Sequence, residues 1–126
     1  MLRTADTSAL DDLRLPYVLS TEAGFTLIEI KDYPVGVGLA PARSNLLVRL
    51  PPGFPDATPD MFWFDPAVTT AAGAPIPGTE VREIHNGRTW QRWSRHIQGQ
   101  WRPGVDNLAT YLAYVRRCLD RGAGRA

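Results

Sequence analysis

An α+β fold is predicted: an antiparallel β-meander of three to four strands with a short N-terminal helix and a C-terminal packing helix. Three features of the chain predict it. Short β-branched and aromatic runs recur at 25–31, 44–50 and 61–64, each bounded by turn residues. Near the C terminus Leu108, Leu112, Val115 and Leu119 repeat at helical spacing. The strands run consecutively before that helix instead of alternating with helices, which is the α+β order.

Taken in order, Thr7 to Leu15 carries Leu10, Leu13 and Asp11-Asp12, enough for one or two helical turns capped by Thr7 or Ser8 and stopped by Pro16. Phe25–Lys31 is the first strand, closed by the Pro34, Gly36 and Gly38 turn residues. Ser44–Leu50 is the second, with Leu46, Val48 and Leu50 on one face. Met61–Phe64 is short and apolar on both sides, between Pro59-Asp60 and Asp65-Pro66. Residues 66–89 hold Ala72-Gly73, Pro75, Pro77-Gly78 and Asn86-Gly87 and read as an extended loop region, a feature more often functional than decorative. Trp90 to Ile97 suits an extended segment and Trp101-Arg102-Pro103-Gly104 a turn. Asp106 then caps a helix running to about Arg121; Arg116, Arg117 and Arg121 suit its C-terminal dipole, Gly122 ends it, and 122–126 is a frayed tail.

Composition narrows the function. With 126 residues and 44% hydrophobic content, one domain spanning 1–126 is expected, burying about two thirds of the surface of its unfolded chain. No apolar run approaches the roughly 20 residues of a membrane span, and the first residues lead into polar sequence and not a signal peptide, so the cytoplasm is the expected compartment. Cys118 is the single cysteine, and with His85 and His96 beside it neither a disulfide nor a zinc site is expected. No metal and no cofactor is predicted. The net charge of +1 supplies no field for nucleic acid or membranes. Lys31 is the one lysine among 14 basic residues, leaving 13 arginines.

The run from Leu47 to Phe64, with Phe54-Pro55 and then Pro59 between two strands, resembles the signature of the ubiquitin-conjugating (UBC) fold. Proline fixes φ and cannot donate to a sheet ladder, so this spacing makes a rigid crossover. Trp101-Arg102-Pro103 followed by the 108–119 stripe is similar to the Trp-x-Pro turn and packing helix that follow the active site in that family. Leu50-Pro51-Pro52-Gly53-Phe54-Pro55, Asp60-Met61-Phe62 and the Trp90–His96 run bring the chain closest to the prokaryotic UBC-like group called family E. That resemblance implies partnership with a ubiquitin-like protein and an activating enzyme, in pathways that include JAB-type peptidases and are linked to defence against phage.

The place where the family carries its nucleophilic cysteine falls near Trp93-Ser94, and Cys118 lies elsewhere, on the final helix, where it reads as a half-buried hydrophobe. If 90–97 is extended, period-two alternation puts Arg92, Ser94 and His96 on one face. Ser94 then becomes a candidate nucleophile with His96 as its base, because a hydroxyl, unlike a thiol, is almost wholly protonated near neutral pH. His85-Asn86 resembles the family's His-Pro-Asn element without its proline, and an asparagine amide can stabilise an oxyanion. Arg92, Arg95, Trp93 and Trp101 are candidate partner contacts, although the tryptophans equally suit core and turn packing.

Three readings therefore stand side by side. The first is a conjugating-enzyme-like protein that forms an oxyester at Ser94. The second is a UBC-like adaptor with no covalent role. The third takes Arg82, Arg88, Arg92, Arg95 and Arg102 with Trp90 and Trp93 as a platform for single-stranded nucleic acid, a use against which the balanced charge argues.

Overall fold

The computed structural model describes residues 2–125. Helix α1 (Thr4–Asp12) leads into β1 (Tyr17–Glu22), β2 (Phe25–Pro34), β3 (Leu39–Ala40), β4 (Arg43–Leu50), β5 (Phe62–Asp65), β6 (Thr69–Thr70), β7 (Arg82–His85) and β8 (Arg88–Trp93). A 3-10 turn (Gln98–Gln100) and helix α2 (Leu108–Gly122) complete the chain. Six strands form one antiparallel sheet in the order β1-β2-β4-β5-β8-β7, while β3 and β6 make a separate two-residue pair. Among the described residues no helix is long and apolar enough to cross a membrane.

The α+β class stands, but the expectation of three to four strands is corrected to six. Two hairpins make the difference, and both close on two-residue turns with φ positive at each central position: Ala23-Gly24 (51° and 85°) and Asn86-Gly87 (52° and 75°). That backbone matches the right-handed twist of the flanking strands. Asn86-Gly87 thus joins β7 to β8 inside the stretch expected to be loop. β1 escaped notice because Val18, Leu19 and Thr21 are exposed and leave no apolar alternation.

The principal core lies between the sheet and α2. Leu108, Leu112, Val115 and Leu119 are buried as their spacing predicts, together with Tyr111, Tyr114 and Cys118. They meet Ile28, Ile30, Leu46, Val48, Leu50, Phe62, Phe64 and Trp93. The alternate residues of the same strands point the other way, and Leu27, Leu47, Trp63 and Trp90 form a second, smaller cluster. This explains why 61–64 is apolar on both sides. The sheet curls about that cluster until its edge strands β1 and β7 are tied by side chains: Glu22 reaches His85 at 2.7 Å, and Asn86 Nδ2 donates to Ser20 Oγ at 2.7 Å.

Helix ends differ from expectation by a few residues. α1 begins at Thr4, ahead of Thr7 and Ser8, because Asp6 accepts the Arg3 N–H at 3.1 Å and the Leu108 N–H at 3.2 Å, tying the starts of the two helices together. Asn107, not Asp106, caps α2 by accepting the Thr110 N–H at 3.2 Å, while Asp106 accepts the Arg102 N–H at 2.7 Å. The helix runs through Gly122. Its stop is Gly124, at φ 79°, where the Gly124 and Arg125 N–H groups return to the Arg121 and Asp120 carbonyls. Of the tail expected to fray, Ala126 lies outside the described residues.

Candidate functional site

The connection from β8 to α2 carries the candidate nucleophile. β8 stops at Trp93, short of the expected Ile97, because the chain turns at Ser94: the Arg95 N–H bonds the Trp93 carbonyl across it at 2.9 Å. The alternation of Arg92, Ser94 and His96 is therefore interrupted at Ser94. Backbone bonds pin this turn from two sides, Ser94 N–H to Gly78 O at 2.9 Å and Met61 N–H to Arg95 O at 3.0 Å. Arg95 adds side-chain bonds to Pro77 O at 2.9 Å and Ser94 O at 3.2 Å. Gly78 allows this, since its φ is +81° and a Cβ there would sit 2.6 Å from Arg95 Nη1.

Ser94 is half-buried, and its Oγ accepts a hydrogen bond from Arg92 Nε at 3.1 Å. Arg92 is anchored in turn, its Nη1 donating to Glu83 Oε2 at 2.8 Å. The other Glu83 oxygen accepts from Trp63 Nε1 at 2.8 Å and faces His85 Nε2 at 3.3 Å. Burial raises the pKa of Glu83, but hydrogen bonds from Trp63, His85 and Arg92 outweigh it and hold the carboxyl below its ordinary range. A fixed negative charge thus holds the guanidinium that touches Ser94.

The two histidines have different surroundings. His96 is 53% exposed and its Nδ1 lies 2.6 Å from Asp60 Oδ1. Among the described residues no hydrogen bond joins it to Ser94. His85 is 6% exposed, packs edge-on against Trp63, and puts both ring nitrogens against carboxylates, Glu22 and Glu83. Glu22 also accepts the Asn86 N–H at 3.1 Å. Its pKa is lowered chiefly by the hydrogen bond from His85, then by that of Asn86. His85 and Asn86 therefore sit at the clasp between the sheet edges; His85 is linked to Ser94 through Glu83 and Arg92, while Asn86 bonds Glu22 and Ser20 and, among the described residues, does not reach Ser94.

Trp93 is wholly buried against Phe62 and Phe64, and Trp90 is 2% exposed, so neither ring is open for a base to stack on. Arg82, Arg88, Arg92, Arg95 and Arg102 each bond a carbonyl or carboxylate of their own chain. Trp101 donates to Pro55 O at 2.8 Å and packs on Phe54 and Tyr111, which joins the Phe54-Pro55 and Trp101-Arg102-Pro103 elements in space. Behind this turn, Ile97, Gln100, Arg102, Asp106, Thr110, Ala113 and Arg117 line a cleft of about 260 Å³ against α2. Cys118 is 2% exposed, and burial pushes its thiol up, away from the reactive thiolate.

Sequence reasoning passed over Asp60 as a site residue. Nothing in sequence spacing links it to a histidine 36 positions away. The available signal was its place beside Met61, between the proline crossover and a strand, where the chain had to turn sharply toward the β8 end.

The family model described as prokaryotic E2 family E matches residues 2–122, nearly the whole chain. Neither a curated protein nor a solved structure matches it. With the proline crossover meeting the Trp101 turn, the curled sheet backed by α2 and a match of that extent, the chain belongs to prokaryotic E2 family E and has a ubiquitin-conjugating-enzyme-like role.

Proposed function

We propose that this chain takes part in attaching a ubiquitin-like protein and that Ser94 stands in for the family's nucleophilic cysteine. The observation that carries the reading is the Ser94 hydroxyl at the end of β8, with an anchored guanidinium 3.1 Å away, in a chain of this family. Its partners are then a ubiquitin-like protein and an activating enzyme. Ser94 Oγ attacks the carbonyl carbon of the thioester carried by the activating enzyme. A C–O bond forms, the C–S bond breaks, and the serine proton ends on the departing sulfur, leaving an oxyester on Ser94 and a free thiol. Arg92, already directed at Oγ, stabilises negative charge on that oxygen as it develops. His85 enters this chemistry through Glu83, which bridges the clasp to Arg92, and Asn86 supports His85 by bonding the same Glu22.

The experiment is incubation with the cognate ubiquitin-like protein, activating enzyme and ATP. An adduct that survives thiol reductants and is cleaved by hydroxylamine, absent in Ser94→Ala and reductant-sensitive in Ser94→Cys, is the expected result. An adduct that persists in Ser94→Ala and vanishes in Lys31→Arg would make the chain a target. A stable complex without any adduct would favour the adaptor reading, which draws support from the internal pairing of Arg92 and Arg95. A JAB-type peptidase partner and a role against phage rest on resemblance, and phage challenge of cells carrying Ser94→Ala tests the latter.

A further inference from the structure

We propose that Asp60 and His96 form a general-base dyad, with Asp60 the positioning residue, and that the dyad activates the acceptor amine that discharges the Ser94 ester. The inference rests on the reading of Ser94 as the acylated residue. It begins from the 2.6 Å approach of His96 Nδ1 to Asp60 Oδ1. An ionised carboxylate only accepts, so Nδ1 carries the proton and the lone pair of the neutral ring is at Nε2. The ring is half-exposed, and among the described residues its Nε2 has no hydrogen-bond partner. A base directed at solvent suits a nucleophile that arrives from solvent.

The pairing is built by the backbone. Met61, next to Asp60, has φ 62°, a left-handed conformation that costs a bulky residue roughly 1–2 kcal/mol. It is held there by two bonds: its N–H donates to the Arg95 carbonyl, and its carbonyl accepts from Tyr111 Oη of α2 at 2.6 Å. The residue after Asp60 is thus fastened to the residue before His96. Strain of this kind, over-determined by its surroundings, is a feature of functional sites. Ser94 and His96 are two residues apart, so their Cα atoms lie within about 7 Å, while Ser94 Oγ itself is engaged by Arg92.

A primary amine is protonated at neutral pH, so it first gives one proton to solvent, and the neutral amine that attacks must shed a second as the amide forms. In the discharge step the amine nitrogen bonds the ester carbonyl carbon as His96 Nε2 takes its proton, the bond from carbon to Ser94 Oγ breaks, and the proton passes to that oxygen. Ester and amine become amide and free serine. Arg92 stays with the departing oxygen.

The test separates base catalysis from structure by the choice of nucleophile. The wild-type chain and its variants are loaded to completion, ATP is removed, and discharge is followed with free lysine and, separately, with hydroxylamine, which reacts unprotonated and without a base. His96→Ala is expected to slow discharge to lysine by about 10²-fold and to leave hydroxylamine within about twofold, with added imidazole restoring the lysine reaction. Asp60→Ala is expected to slow the lysine reaction by about 10- to 100-fold. In ¹⁵N spectra the His96 proton should reside on Nδ1 in the wild type and shift toward Nε2 in Asp60→Ala, a readout that needs no loaded protein. Equal slowing with both nucleophiles, or an unchanged tautomer in Asp60→Ala, overturns the dyad. A wild type that forms no Ser94 adduct fails earlier, at loading, and removes the parent reading together with the dyad's substrate.

Discussion

His85 and His96 lie 11 positions apart on one hairpin and its exit, yet the fold puts them to opposite uses. His85 is buried, with a carboxylate at each nitrogen, and one of those carboxylates belongs to the far edge of the sheet. A side chain whose every polar atom is satisfied internally can hold structure and has nothing left for a substrate. His96 has one partner and an open second nitrogen. The difference teaches that residue type near a site says little, whereas the count of unsatisfied atoms reaching solvent says which group is available for chemistry.

The largest effect expected is a reference for the buried side of that contrast: Leu112→Ala, under α2, should lose about 2–5 kcal/mol in denaturant unfolding. Against this scale His85→Ala is expected to cost about 2–4 kcal/mol, since it leaves Glu22 and Glu83 without a shared partner, while His96→Ala should stay within about 0.5 kcal/mol. Similar losses for both histidines would erase the distinction.

Acid titration sharpens it. The Glu22 pKa is depressed in the folded chain by His85, so its stabilisation is present above the unfolded carboxyl pKa of about 4.3 and is lost as pH falls through the lower folded value. Stability measured from pH 6 downward should fall in that window, and Glu22→Gln should flatten the fall. An unchanged acid limb in Glu22→Gln would mean the clasp contributes nothing.

A further test concerns Cys118. Cys118→Ser should cost about 1 kcal/mol, as a small polar group placed in a buried site, and should leave any adduct intact. Loss of adduct in the folded variant would move the nucleophile away from Ser94.

The α2 stripe, the 25–31, 44–50 and 61–64 strands and the proline crossover were legible because periodicity and proline chemistry act locally. β1, β7 and the first half of β8 were less so. Ala23-Gly24 carries little local signal, and Asn86-Gly87 fits a hairpin or a loop until a partner strand is known. The candidate site was legible in residue type at Ser94 and His96, but the assignment of partners was not: Arg92 came to Ser94, Asp60 to His96, and Glu22 to His85.

Local sequence was sufficient for the α+β class, the principal helix face, the family resemblance and the place of the single cysteine on the final helix, since each is carried by spacing or motifs along the chain. Tertiary structure alone decided that the sheet has six strands curled edge to edge, that β8 turns at Ser94, and which histidine is spent on structure. Those outcomes depend on groups as far apart as Glu22 and His85 or Asp60 and His96, and hydrogen bonds between distant residues leave no period in a sequence.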